Sequence, residues 1–149
     1  MRFFITLALV LVALTVPIAL PAAGEVGAGV KMAAYPLSHF GPEEAFVYLQ
    51  LPDFLGVEGL TAILEGGLGF NLKTISLDTK LLLTRFPLDS AVVIPFTGGG
   101  LTLELAPLEL VPEGLAGIEY SSPPFLLLGE MRVQSLRGMT ILLGLAIEL

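Results

Sequence analysis

The charged side chains of this sequence are few, and their spacing is what points to chemistry. Of 149 residues, 14% are Asp, Glu, Lys or Arg, and 54% are hydrophobic. Asp78 and Lys80 alternate with the apolar residues Leu77 and Leu81. Side chains two residues apart lie on the same face of a β-strand. Because buried charges must pair or contact water, a charged face turned inward predicts a network of ion pairs.

Eight charged residues share this inward position in the strand registers described below. They form the predicted polar network of a lumen: Glu65, Asp78, Lys80, Glu104, Glu119, Glu130, Arg132 and Glu148. Six carboxylates stand against two cations in this set. We therefore expect a rigid polar plug or, as the alternative, a narrow pore that prefers cations, as carboxylate-lined pores do.

Other reactive groups are scarce. The chain has no Cys and one His, His39, which follows Ser38. Neighbouring residues of a strand point in opposite directions, so these two would need a tight turn to act as nucleophile and base. Glu43 and Glu44 offer oxygen ligands for Ca²⁺, but no ligand spacing accompanies them. We expect no catalytic residues, no metal site and no cofactor.

The composition excludes three broad classes of protein. A disordered chain combines low hydrophobicity with high charge, and a disulfide scaffold needs cysteine. A general nucleic-acid binder needs a basic surface, whereas the formal net charge here is -7. We therefore expect an ordered domain that does not bind nucleic acid.

The first 23 residues have the pattern of a signal peptide. Arg2 is followed by an apolar run from Phe3 to Val16, and then by the helix-breaking, small-residue segment Pro17–Gly24. We predict cleavage near Ala23, which would leave residues 24–149 as one domain. The alternative is an uncleaved anchor helix over residues 3–20, which Pro17 disfavours.

The remaining chain alternates with period two and predicts an all-β fold. The clearest segment is 139–149, in which Met139, Ile141 and Leu143 alternate with Thr140 and Leu142. Such alternation is typical of strands with two different environments. We predict eight strands, near residues 25–35, 45–52, 59–70, 73–85, 90–105, 115–120, 125–135 and 139–149. The links include two nine-residue acidic segments, Pro36–Glu44 and Ala106–Gly114.

Two hairpins fix the predicted registers. A turn at Asn71-Leu72 opposes Glu65 to Asp78, with Lys80 diagonal to Glu65, and sorts both faces correctly. A three-residue loop, Leu136-Arg137-Gly138, opposes Gln134 to Thr140.

The apolar face is too continuous for a soluble barrel, whose surface is usually about 25–35% charged. A barrel with that face toward lipid fits better, because a closed sheet satisfies all backbone groups in hydrocarbon. Aromatic residues fall near strand ends, where membrane barrels carry aromatic girdles. We therefore predict an eight-stranded, antiparallel, up-and-down transmembrane β-barrel.

With its leader, its dyad repeat and the terminal strand MTILLGLAIEL, the chain resembles the small eight-stranded outer-membrane barrels of bacteria, the OmpX and OmpA barrel type. The resemblance implies a bacterial outer-membrane location, with lipids or lipopolysaccharide, and an outer-loop protein, as partners. We expect a non-enzymatic structural, interaction or minor pore role. Two alternatives stay open: a soluble periplasmic barrel carrying a lipid or other apolar ligand, and a lipid-acyl-processing enzyme.

Overall fold

The computed structural model describes residues 24–135 and 137–149. The predicted signal peptide lies outside the described residues. Among the described residues, no helix is both long and apolar enough to cross a bilayer. The strands are β1 (Val26–Tyr35), β2 (Gly41–Leu51), β3 (Thr61–Gly69), β4 (Thr74–Leu82), β5 (Phe86–Leu88), β6 (Ala91–Leu105), β7 (Leu108–Ser122), β8 (Phe125–Gln134) and β9 (Gly138–Glu148).

Eight of these strands form a closed, antiparallel wall. Each pairs with its neighbour in the chain, except that β4 pairs with β6, and β1 pairs with β9 to close the ring. The closure runs along β1, where Gly29 opposes Ala146. The short β5 pairs only with the start of β6. The predicted eight-stranded, up-and-down barrel is therefore confirmed.

The barrel has two different ends. Both described termini lie at one end, together with links 52–60, 83–90 and 123–124, and we call this the terminal end. The opposite end carries links 36–40, 70–73, 106–107 and 135–137, and we call it the turn end.

The predicted hairpin between β3 and β4 is confirmed. Glu65 opposes Asp78, and Ile63 opposes Lys80. The Nζ atom of Lys80 lies 2.7 Å from a carboxylate oxygen of Glu65. The diagonal ion pair therefore forms next to the two opposed carboxylates.

The prediction for the first half of β7 was wrong. Residues predicted as the acidic link Ala106–Gly114 belong mostly to β7, so only Ala106 and Pro107 separate β6 from β7. Pro112 stands opposite Leu101, on the stretch of β7 that extends past the end of β8. A proline, which has no N–H to donate, is tolerated at such an edge.

Two further expectations also need correction. The predicted link Pro36–Glu44 is shorter, because β2 already begins at Gly41. The predicted pairing of Gln134 with Thr140 is wrong by two residues, since Gln134 opposes Gly138. A shift of two leaves every side chain on its predicted face, which is why the error does not change the inside and outside of the barrel.

The apolar faces of the strands point outward, as predicted. Leu77 is 65% exposed and Leu145 is 45% exposed, whereas Asp78 and Glu130 are buried. Aromatic side chains are exposed near both ends, including Tyr35 at the turn end. The barrel therefore has an apolar exterior and a polar interior.

The neighbouring strands β4 and β6 approach each other closely at Gly98, which stands opposite Lys80. A Cβ atom added to Gly98 would meet the backbone of Thr79 and Lys80. The run Gly98-Gly99-Gly100 lies within the continuous strand β6. Glycine at such positions lets a strand bend or come close to another backbone, so this run is structural.

Candidate functional site

The structure places six of the eight predicted network residues in the buried interior: Glu65, Asp78, Lys80, Glu119, Glu130 and Arg132. The other two are half-buried at opposite ends. Glu104 lies near the turn end, and Glu148 lies at the terminal end. The interior is therefore the candidate site, and its ends differ in chemistry.

At the centre, two lysines bridge Glu65 and Glu130. Glu65 is on β3 and Glu130 on β8, which are diametrically opposite in the ring of eight. Lys31 contacts the Glu65 carboxylate and lies 3.2 Å from Glu130. Lys80 lies 2.7 Å from Glu65 and 2.6 Å from Glu130. These four side chains connect the walls across the middle of the lumen.

Arg132 extends this cluster toward the turn end. Its Nη2 atom lies 3.0 Å from Glu44, 3.0 Å from Glu130 and 3.3 Å from Asp78. Its Nε atom is 3.7 Å from Glu113. The guanidinium group thus joins β2, β4 and β7 to its own strand, β8.

Neutral side chains also donate hydrogen bonds to the carboxylates, which outnumber the basic groups. Ser76 donates a hydrogen bond to Glu44 at 3.1 Å. Thr102 and Gln134 donate to Glu113 at 3.0 and 2.8 Å. We call the whole assembly the central ion network, whose charged members are Lys31, Glu44, Glu65, Asp78, Lys80, Glu113, Glu130 and Arg132.

An apolar layer fills the lumen between the central ion network and the terminal end. Its members are Phe46, Tyr48, Ile63, Leu82, Ile94, Phe96, Leu126, Leu128 and Ala146. Lys31 Nζ lies 4.9 Å from the centre of the Phe46 ring, and Lys80 Nζ lies 5.0 Å from that of Phe96. Such cation–π contacts are most favourable where the cation is shielded from water. They attach the apolar layer to the charged cluster.

Sequence reasoning missed Lys31, Glu44 and Glu113. Lys31 lies between the apolar residues Val30 and Met32, which face outward. The Gly and Ala residues around Lys31 weaken the alternation of apolar and polar residues, so the pattern did not indicate that Lys31 faces inward. Glu44 and Glu113 fell in segments predicted as loops, although Glu109, Val111 and Glu113 do alternate with Leu108 and Leu110. With Lys31 included, three buried basic groups stand against six buried carboxylates in the described part of the chain.

The turn end carries a separate ion cluster. Arg137 contacts Glu104 and lies 2.7 Å from Glu109. These side chains are partly exposed and tie the tip of the β6–β7 hairpin to the β8–β9 turn. A cavity of about 210 Å³ lies nearby, next to Arg137 and Pro36.

A larger cavity, of about 320 Å³, opens at the terminal end. Glu25, Glu119, Glu148 and Arg85 line it together with the apolar side chain of Leu126. It lies on the other side of the apolar layer from the central ion network.

Ser38 lies in a short 3-10 turn, Leu37–His39, between β1 and β2. The His39 side chain lies outside the part of the chain that the structure describes. Among the described residues, no group of three His, Cys, Asp or Glu side chains is arranged to hold a metal ion. The described interior is arranged to cross-link the wall.

Solved structures with a similar fold are designed membrane barrels. The solution NMR structure of the de novo designed TMB2.3 matches with a TM-score of 0.60 and 18% identity, over 85% of this chain and 94% of that chain. A second structure, described as de novo design of transmembrane β-barrels, matches with a TM-score of 0.50 and 15% identity, over 87% and 98%. The fold is therefore that of a transmembrane β-barrel.

A natural barrel is similar at a lower level. The attachment invasion locus protein Ail of Yersinia pestis has a TM-score of 0.38 and 9% identity, over 84% of this chain and 94% of that chain. That similarity is too low to bear on function. No family model matches the chain, and no curated protein sequence matches it. The match to the designed barrel TMB2.3 confirms, in architecture, the expected resemblance to small eight-stranded membrane barrels.

Proposed function

We infer that this chain is an integral protein of the bacterial outer membrane with a structural or interaction role, and that its lumen is closed to ions. Closed barrels satisfy their backbone groups internally, which hydrocarbon requires. The outward-facing Leu, Ile, Val and Met side chains of this barrel are suited to contact with lipid acyl chains. The resemblance to small bacterial barrels supports the outer membrane as the location.

The closed lumen rests on one observation, the central ion network. Lys31 and Lys80 each contact both Glu65 and Glu130, which project from opposite walls. The apolar layer covers the network on its terminal side. An eight-stranded barrel has an interior just wide enough for its side chains. Ions would have to break several buried pairs to pass, which disfavours the cation-preferring pore.

The alternatives receive less support. A soluble carrier of an apolar ligand needs an apolar interior cavity, whereas Lys31, Asp78 and Glu130 are buried at the centre. An acyl-processing enzyme needs a nucleophile and a base in contact, and the described interior is lined by ion pairs instead. We therefore propose a non-enzymatic role.

The proposed partners are membrane lipids or lipopolysaccharide and a protein bound at the outer side. With both termini in the periplasm, the turn end faces outward. The β6–β7 hairpin extends past β8 there, and its exposed leucines Leu105, Leu108 and Leu110 form a surface for contact with lipid or protein.

Fractionation and electrical recording test this proposal together. We expect the protein in the outer-membrane fraction, resistant to carbonate and released by detergent, with a gel mobility that changes on boiling. In planar bilayers the folded protein should give no unitary current. Release without detergent would contradict the membrane location, and a reproducible unitary current would contradict the closed lumen.

A further inference from the structure

The cavity at the terminal end has the features of a ligand site. Its volume is about 320 Å³, at the small end of the range of pockets that bind small molecules. Val92, Ile94 and Leu126 provide an apolar side, and polar groups including Gln50 and Ser121 lie on the rim. It opens at the end of the barrel that the proposed orientation places in the periplasm.

The charges around this cavity are unbalanced. Glu25, Glu119 and Glu148 line it, and Arg85 is the one basic residue among its lining residues. An excess of carboxylates along a cleft with low-dielectric walls concentrates the field and attracts cations. The cavity therefore favours a positively charged ligand.

Glu119 is the deepest of these carboxylates, and it is not a member of the buried ion pairs of the central ion network. Only 2% of its surface is exposed. Among the described residues, the ion pairs that Lys31, Lys80 and Arg132 form in the interior do not include its carboxylate. Lys80 and Arg85 both act electrostatically on Glu119, but Lys80 is already bound to Glu65 and Glu130. A buried carboxyl group without a cationic partner is costly to ionise, and this one lines the cavity.

A second unsatisfied group lies close to the same carboxylates. The Tyr48 hydroxyl is buried without a hydrogen-bond partner among the described residues. It lies within electrostatic range of Glu25, Glu119 and Glu148. Tyr48 belongs to the apolar layer beneath the cavity, so a buried polar group without a partner lies in that layer.

We propose that this cavity binds an organic ammonium ion with a short apolar body, with the ammonium group on Glu119 and the apolar body against Leu126 and Ile94. An ammonium group donates up to three hydrogen bonds, so it can satisfy the Glu119 carboxylate. A metal ion fits less well, since the described carboxylates do not converge as a metal-binding group. The apolar side of the cavity also favours an organic cation.

The test is a titration of the ¹⁵N-labelled protein, purified from membranes and folded in detergent micelles, with butylammonium chloride. Amide shifts of Ile94 and Ser121 report on the cavity, and that of Gly138 reports on the turn end. We expect saturable shifts at the first two residues only. n-Butanol, the neutral analogue, and sodium chloride should not reproduce them.

Matched variants identify the carboxylate responsible. Glu119→Gln should weaken butylammonium binding about tenfold or more, as expected for loss of a charge-assisted hydrogen bond. Glu58→Gln removes the same charge from an exposed link at the same end and should change the affinity less than twofold. Ser121→Leu keeps Glu119 but fills the cavity, so it should also abolish the saturable shifts.

The outcomes separate cleanly. The site is supported if butylammonium binding is saturable, is lost in Glu119→Gln and in Ser121→Leu, and is kept in Glu58→Gln. Equal effects of Glu119→Gln and Glu58→Gln would indicate general attraction to an acidic end and overturn it. Equal binding of n-butanol would overturn the role of charge, and absence of saturation would overturn the site. None of these outcomes changes the expectation of a closed lumen.

Discussion

Replacing Lys31 with methionine removes the cation at the centre of the barrel while keeping a long apolar stem. Lys31 is fully buried and contacts three carboxylates, those of Glu44, Glu65 and Glu130. Methionine fills a similar volume, so the change removes charge with little loss of packing. The perturbation is therefore mainly electrostatic.

The expected loss of folding free energy depends on which cations the three carboxylates still contact after the substitution. Breaking a buried ion pair by removing one partner costs roughly 3–5 kcal/mol. After Lys31→Met, Lys80 still lies 2.7 Å from Glu65 and 2.6 Å from Glu130, and Arg132 still lies 3.0 Å from Glu44. Because every carboxylate retains a cation, we expect the low end of that range, about 3 kcal/mol of lost folding free energy.

The assay is reversible urea unfolding in lipid vesicles. The chain contains no Trp, so far-ultraviolet circular dichroism and heat-modifiable gel mobility serve as the probes. Lys73→Met is the matched control, because Lys73 is exposed near the β3–β4 turn. Its effect should stay below about 1 kcal/mol, as for other exposed charges.

A double-mutant cycle isolates the pair interaction. Combining Lys31→Met with Glu65→Gln removes the cation and one of its carboxylates together. We expect a coupling energy of at least about 1 kcal/mol, because residues in one network are not additive. A loss for Lys31→Met no larger than for Lys73→Met, with additive effects in the double variant, would refute a cross-linking role for Lys31.

Three further substitutions probe other parts of the barrel by the same unfolding assay. Gly98→Ala should lower the folding free energy by roughly 1–3 kcal/mol, because the added Cβ would meet the backbone of β4. Gly114→Ala is the control and should have little effect, because there is open space at that position. Equal losses of stability in the two variants would contradict the close approach of β4 and β6. Arg137→Ala removes partly exposed ion pairs at the turn end and should cost less than about 1 kcal/mol; a loss comparable with Lys31→Met would contradict this ranking. Leu143→Arg puts a charge at the middle of the outer face of β9 and should cost roughly 2–4 kcal/mol in a bilayer; an unchanged stability would contradict burial of that face in lipid.

The fold could be predicted because alternation and turn chemistry agree. In β3 and β4, a register set by the Asn71-Leu72 turn sorts charged and apolar residues onto opposite faces, and the structure has that register. In β9, Ile141 and Leu143 indicate the outer face without ambiguity. The even shift at Gln134 shows the limit of this reasoning, because two registers that differ by two residues sort the faces equally well.

The centre of the candidate site could be predicted only in part. Asp78, Glu130 and Arg132 were found from their position in strands, but which of them meet across the lumen depends on strand tilt and closure, which no local pattern contains. Glu113 was missed because Pro112 and Gly114 resemble a loop, although Pro112 occupies a stretch of β7 beyond the end of β8.

The orientation of the two faces of β9 tests the central claim most directly. The chain has no native Cys, so Leu143→Cys and Leu142→Cys each give one site for a nitroxide label in the folded, membrane-embedded protein. Leu143 is 55% exposed, and Leu142 is fully buried inside the barrel. We predict that lipid-soluble oxygen relaxes the label at position 143 strongly and that the label at position 142 is protected or prevents folding. Strong relaxation at position 142 with protection at position 143 would contradict a barrel whose apolar face meets lipid.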